Sequence, residues 1–276
     1  MQPAIEIKNL CKTFRRPPSL KDFLRKPFKT PVVKTVALNQ LNFTVQCGEI
    51  VAILGPNGAG KTTLFKILST VISPDQGEVR ICGRDAVEDP DSVKGFLGLV
   101  SGEERSFYWR LTARQNLEFF GSLHGFFGKE LAKRIRDVAD FFEIADLDKR
   151  YQEYSTGLKF RLAFARCFLT DARVLLLDEP TRSLDYQTAR HLRQFIKRAL
   201  KRDPGLTAMI ATHHFDEAEE IADRLLLIRQ GRAVGAGTPS ELKNMIGNPE
   251  ASLAEIYEGI ILNNSAIVNS VIPARL

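Results

Sequence analysis

Residues 50–62 read IVAILGPNGAGKT, and no other stretch restricts the fold as tightly. IVAIL is apolar without a break, the pattern of a strand covered on both faces, as in a parallel sheet. Glycines at 55, 58 and 60 follow, then Lys61, Thr62 and Thr63. A loop of this kind brings bare backbone close to a ligand and turns its N–H groups toward an anion. The helix opening near Lys61 adds the positive end of its dipole at the same place. The stretch fits G-x-x-x-x-G-K-[ST], which makes Gly55, Pro56, Asn57, Gly58, Ala59, Gly60, Lys61, Thr62 and Thr63 candidate phosphate-binding residues. Lys61 is expected to reach the β- and γ-phosphates, and the Thr62 hydroxyl to ligate magnesium. Strand, loop and helix in this order predict an α/β chain that binds ATP or a related nucleotide with Mg2+.

VLLLDEP at 174–180 is a second continuous apolar run, and it ends in two acids. At a strand end Asp178 is placed to hold magnesium. Glu179, one residue on, faces another way and can polarise an attacking water. An Asp-Glu pair after a strand is by itself an ordinary turn. Behind a phosphate loop it reads as the second half of a hydrolytic site, so the two motifs together predict a nucleotide hydrolase of unspecified kind.

The remaining sequence fills in an alternating α/β order. AIEIKNLCKTF alternates apolar and polar residues and reads as an edge strand. VALNQLNFTVQCGEIVAILG reads as two strands joined at Cys47 and Gly48, and GEVRICG as a short strand between glycines. From about residue 110 to 170 the pattern is mostly helical, with Leu131, Ile135, Val138 and Phe142 at helical spacing. HLRQFIKRALKR is a basic amphipathic helix, TAMIATHH a strand, DEAEEIADR a helix and RLLLIRQGRAVGAG a hairpin. The tail after residue 239 holds one or two short helices, SLAEIYEGI the clearest.

Composition narrows the class further. The chain has 276 residues, 44% apolar and 26% charged, the balance of a soluble globular protein. No apolar run approaches the roughly 18–20 residues that cross a bilayer, and no N-terminal leader pattern is present, so a cytoplasmic location is expected. Cysteines 11, 47, 82 and 167 show no metal-ligand spacing and read as free thiols. The net charge of +6 is partly local: residues 12–34 carry many Lys and Arg against one acid, Asp22, broken by Pro17, Pro18, Pro27 and Pro31. That segment is either a solvated insertion or a patch for inner-leaflet lipid headgroups or a membrane partner.

YSTGLKFRLAFAR at 154–166 resembles the signature segment of ABC ATPases, usually LSGGQ. Ser155 and Gly157 match, while Tyr154, Thr156 and Leu158 depart from Leu, Gly and Gln. TRSLD at 181–185 is similar to the family's D-loop, with Asp185 reaching across a dimer. ATHH at 211–214 is similar to its switch, with His213 contacting the γ-phosphate. Phe14 resembles the aromatic that stacks on adenine, although a Phe ending a strand also serves plain packing. The resemblance covers residues 4–240, and its nearest form is the ATPase subunit of type-2 ABC exporters, similar to polysaccharide, polyol-phosphate or drug exporters. It implies a P-loop NTPase (RecA-like) core with an antiparallel β subdomain and an inserted α-helical subdomain. The core and β subdomain would occupy residues 1–100 and 159–240, the helical subdomain 101–158, and a short helical extension 241–276. It also implies a homodimer closing on two ATP molecules, each held by Lys61, Thr62, Asp178, Glu179 and His213 of one chain and Ser155 and Gly157 of the other. The membrane-spanning permease would be a separate chain, with this one peripheral on the cytoplasmic membrane face. An importer ATPase is the alternative. Only about 95 residues separate phosphate loop and signature, and only one cassette is present, which disfavours the family's nucleic-acid and ribosome branches, so no nucleic-acid partner is expected.

One departure falls at a chemically important position. The family's glutamine loop should lie within GLVSGEERSFYWR at 98–110, but no glutamine is there. Counting back from Leu111 puts Glu103 in the magnesium-contacting slot; counting forward puts Gly102 there. An ionised carboxylate there can ligate the metal but cannot donate a hydrogen bond to water. Phe107, Tyr108 and Trp109 follow, and the resemblance implies that they floor the cleft receiving a coupling helix of the permease.

Overall fold

A computed structural model describes residues 2–16, 33–101, 106–182 and 184–262. In chain order its strands are β1 (Ile5–Arg16), β2 (Val33–Val45), β3 (Ile50–Leu54), β4 (Gln76–Ile81), β5 (Arg84–Asp85), β6 (Leu97–Ser101), β7 (Val174–Asp178), β8 (Thr207–Thr212), β9 (Arg224–Arg229) and β10 (Arg232–Gly237). The helices are α1 (Lys61–Leu68), α2 (Pro90–Phe96), α3 (Ala113–Leu123), α4 (Gly128–Phe141), α5 (Thr156–Leu169), α6 (Tyr186–Arg202), α7 (Phe215–Ile221), α8 (Pro239–Met245) and α9 (Leu253–Leu262).

The strands divide between two sheets. One is antiparallel in the order β2-β1-β4-β5; the other runs β10-β9-β3-β8-β7-β6, parallel except for β10. IVAIL becomes β3, flanked on both sides and buried at every position. The N-terminal segment is not an edge strand. β1 pairs with β2 on one side and β4 on the other. Its alternating pattern reports one face on the core, where Ile5, Ile7 and Leu10 are buried, and says nothing of whether its backbone edges are open. β2 stands at one edge of that sheet, and it is tied down where the Asn39 amide donates to the Gly231 carbonyl at the β9–β10 turn (2.9 Å).

The register of the parallel sheet builds the site. Leu54 stands beside Thr212, Thr212's neighbour Ala211 beside Asp178, and Asp178 beside Ser101. The carboxyl ends of β3, β8, β7 and β6 therefore finish together, the crevice where open α/β sheets hold ligands. One core fills the space between the two sheets around Leu38, Ile53, Leu64 and Ile81. A second joins the helical region to the sheet through Phe142, Phe160, Phe164 and Leu177. A third lies under the C-terminal helices, where Leu242, Leu253, Ile256 and Ile260 cover Ala52 and Leu225. The described part of the tail is thus a packed layer on the sheet. Residues 17–32, most of the basic segment, lie outside the described residues, as do Gly102 and Glu103.

Candidate nucleotide site

The loop between β3 and α1 is shaped by close packing as well as by ligand chemistry. A Cβ on Gly60 (φ 113°) would stand 2.5 Å from the Ala37 carbonyl oxygen, and one on Gly55 would meet the Ile228 carbonyl oxygen at 2.3 Å. These two glycines let the loop press against β2 and β9. Gly58 differs: it has φ 82° but open space around it, so its bare Cα serves the turn and the approach of something from outside.

Lys61 is almost fully buried, and its ammonium donates to the Gly55 carbonyl (2.6 Å) and the Pro56 carbonyl (3.3 Å). Burial pulls its pKa below the ordinary lysine value, opposed by the nearby carboxylates of Glu179 and Asp178. The same loop floors a cavity of about 280 Å³ lined by Phe14, Thr35, Val36, Ala37, residues 56–63 and Glu179. Phe14 is partly exposed and pairs with Thr35 across β1 and β2, so the two strands bring these residues together at this cavity. The sequence could not have placed Thr35, Val36 and Ala37 here, because only strand pairing brings them to the loop.

At the far wall, burial and the neighbouring Glu179 raise the Asp178 pKa, with Lys61, Lys66 and Arg182 acting the other way. Glu179 sits at φ 47°, a left-handed conformation that costs a non-glycine residue energy and persists where its surroundings impose it. The Glu179 amide donates to the Ala211 carbonyl (2.8 Å), which fixes that turn. His213 Nδ1 lies within hydrogen-bond distance of Glu179 Oε1 (3.1 Å), and Arg182 Nη1 stands 3.5 Å from Oε2. Arg182 escaped the sequence reading, although it lies inside the TRSLD segment.

The donors fit magnesium. Thr62 offers a hydroxyl and Asp178 a carboxylate, both hard oxygens, and the crowded Asp178–Glu179 pair is eased by a divalent cation. Among the described residues no group of three or more His, Cys, Asp or Glu could cage a metal alone.

Residues 38–182 match the ABC transporter family pattern. The chain belongs to the ABC transporter family. Over 215 residues this ABC ATPase is 35% identical to the ABC transporter ATP-binding protein NatA of Bacillus subtilis, covering 78% of this chain and 86% of NatA. It is likewise 35% identical over 212 residues to the daunorubicin resistance ATP-binding protein DrrA3 of Streptomyces coeruleorubidus, covering 76% of this chain and 66% of the relative. A dimeric ATP-binding cassette, MJ0796, solved in a post-hydrolysis state with ADP and Pi, superposes with a TM-score of 0.69 at 25% identity over 85% of this chain and 98% of its own. The P-loop NTPase fold, ATP binding with magnesium and ATP hydrolysis are those of the family. ATPase subunits of this family dimerise and pair with membrane permeases, and no helix among the described residues is long and apolar enough to cross a membrane.

Within one chain of this ABC ATPase, the signature and D-loop residues do not line the phosphate cavity. Ser155 caps α5, its Oγ accepting from the Leu158 amide (3.3 Å), and Asp185 caps α6, accepting from the Thr188 amide (3.0 Å) and hydroxyl (2.6 Å). Those bonds hold the Asp185 carboxyl below its ordinary pKa. Gly157 lines a separate cavity with Arg161 and His191. Among the described residues, nothing beyond its chain neighbours and its own helix backbone lies within 4 Å of where its Cβ would be. Tyr154, the departure before the signature serine, is buried and donates its hydroxyl to the Asp146 carbonyl; its pKa is pushed up to about 12, mainly by burial.

The aromatic run splits. Phe107 is not surface floor: it is buried, stacked on Tyr151 (4.8 Å) and edge-on to Phe120 (5.5 Å), with the Arg166 guanidinium 5.0 Å above it. Tyr108 and Trp109 are exposed, at 49% and 71%, and Phe119 packs edge-on to Tyr108. Asn116, fully buried, holds the loop by accepting from the Tyr108 amide (2.8 Å) and donating to the Tyr108 and Thr112 carbonyls (3.0 and 2.9 Å).

Proposed function

We propose that this ABC ATPase powers an exporter, working as a homodimer in which each ATP is held by the phosphate loop of one chain and by Ser155 and Gly157 of its partner, with Asp185 at the same seam. The observation that carries the reading is the carboxyl of Glu179, bonded to His213 beside Asp178 at the open wall of the phosphate cavity. Lys61 would exchange its carbonyl partners in the loop for phosphate oxygens, a charge-assisted bond in a dry site. Phe14 would stack on the base. Thr62 and Asp178 would hold magnesium, which supplies charge neutralisation on the phosphates when bound. Glu179 would take the proton of the attacking water, with His213 fixing its orientation. The open space around Gly157 would let a phosphate held by a second chain come close to the start of α5. Resistance to daunorubicin in a relative's name supports export of a drug-like cargo.

Glu179→Gln tests this. The variant is expected to bind ATP, to accumulate as an ATP-loaded dimer on size-exclusion chromatography, and to turn over at least ~100-fold more slowly, the scale of a lost general base. Near-normal turnover would sink the assignment.

A further inference from the structure

Glu217, on α7, is the one fully buried acid among the described residues, at 1% exposure. Its Oε2 accepts the Thr212 hydroxyl at 2.5 Å, while its Oε1 has no partner. Thr212 is itself fully buried, and its oxygen accepts the His214 amide at 3.0 Å. A hydroxyl has one proton, so the order is fixed: His214 N–H to Thr212 Oγ1, and Thr212 O–H to Glu217. The residues on both sides of His213 are thereby fastened to one buried carboxyl. The Ala218 amide also closes on the His214 carbonyl (3.3 Å).

The anchor is itself held. On the next turn of α7, Glu220 Oε2 takes Arg193 Nε at 2.6 Å, and its carbonyl takes Lys197 Nζ at 2.8 Å, both from α6. Phe215 packs on Tyr257 of α9 at 5.8 Å. A carboxyl with an orphaned oxygen is a costly way to fill a core position, and an apolar residue would fill it more stably. The position therefore needs an explanation beyond packing.

We propose that Glu217 is a positioning residue for hydrolysis: acting through Thr212, it holds His213 where the imidazole meets Glu179. This rests on the reading of His213 and Glu179 given above. It predicts that breaking the relay lets the switch loop wander and misplaces Glu179, lowering turnover while leaving the nucleotide bound by the phosphate loop.

The experiment measures steady-state ATP hydrolysis, ATP affinity by calorimetry and thermal unfolding for five variants of the full chain. Thr212→Val keeps the side-chain shape and removes the relay, so it decides the matter even where Glu217→Ala fails to fold. Both are expected to lower kcat by roughly 10- to 100-fold, the cost of a small misplacement at a reacting centre, with ATP affinity retained. Glu217→Gln, which still accepts from the Thr212 hydroxyl, is expected to restore kcat to within about fivefold. The double variant His213→Ala with Thr212→Val is expected to be no slower than His213→Ala alone, because residues that act as one unit are not additive. Full kcat in folded Thr212→Val, a loss confined to KM, no rescue by Gln, or an additive double variant would each overturn the relay while leaving His213 in place. Unchanged kcat in His213→Ala would overturn the relay and the underlying reading together.

Discussion

Lys61 shows how one residue can be legible in type and hidden in state. The sequence motif names it as a phosphate ligand. The fold adds that its ammonium is already desolvated and bonded to two loop carbonyls. Lys61→Ala is expected to weaken ATP binding by about 2–5 kcal/mol, a loss of roughly 30-fold or more by calorimetry; tight residual binding would contradict the phosphate-loop assignment. Tyr154 makes the opposite case, a departure from a family pattern that the structure explains by packing. Its folded pKa is raised, so the neutral phenol is the form the fold favours. The stabilisation is fully present below the unfolded value of 10.0 and is lost as pH rises through about 12. Tyr154→Phe should therefore cost about 1 kcal/mol in urea unfolding at pH 7, with the difference shrinking as pH rises above 10.

At the scale of elements, α3 is where local sequence and tertiary position meet. Thr112 and Gln115 form a reciprocal capping box that starts the helix. One turn on, Asn116 spends its whole amide on the preceding loop. Asn116→Ala would leave the part-buried Tyr108 amide without its acceptor, an expected loss of about 1–3 kcal/mol in denaturant unfolding. Wild-type stability would mean that the loop holds itself. The same anchor keeps Tyr108 and Trp109 facing outward while Phe107 turns in. A three-residue aromatic run announces that its members must diverge, but which one enters the core depends on Phe120 and Tyr151, remote in sequence.

For the whole molecule, we propose that the exposed pair serves coupling to a permease. With Phe107 committed to the core, Tyr108 and Trp109 are the members of the run left exposed for such a contact. Trp109→Ala in the assembled transporter is expected to abolish most transport while ATP affinity of the subunit stays within about twofold, since exposed aromatic anchors dominate an interface without stabilising the fold. Transport at the wild-type level with normal assembly would return Trp109 to a local role. The C-terminal layer acts at this scale too: α9 touches α7, and α7 begins two residues after His213, so the tail packs against the element that follows the switch loop.

The sequence determined by itself what is local. Apolar runs, a glycine turn and Lys-Thr specified the phosphate loop and its strand and helix, and Asp178 with Glu179 followed from the same pattern, because contiguous residues must share one geometry. Family resemblance carried His213, Ser155, Gly157 and Asp185. The tertiary structure decided what depends on pairing between distant segments. It put β1 inside its sheet, brought Phe14 and Thr35 to one cavity, set Arg182 and His213 on either side of Glu179, and kept Ser155 and Gly157 away from the phosphate loop of their own chain. Strand register and helix packing make those contacts, and alternation along one strand carries no record of which strand lies beside it.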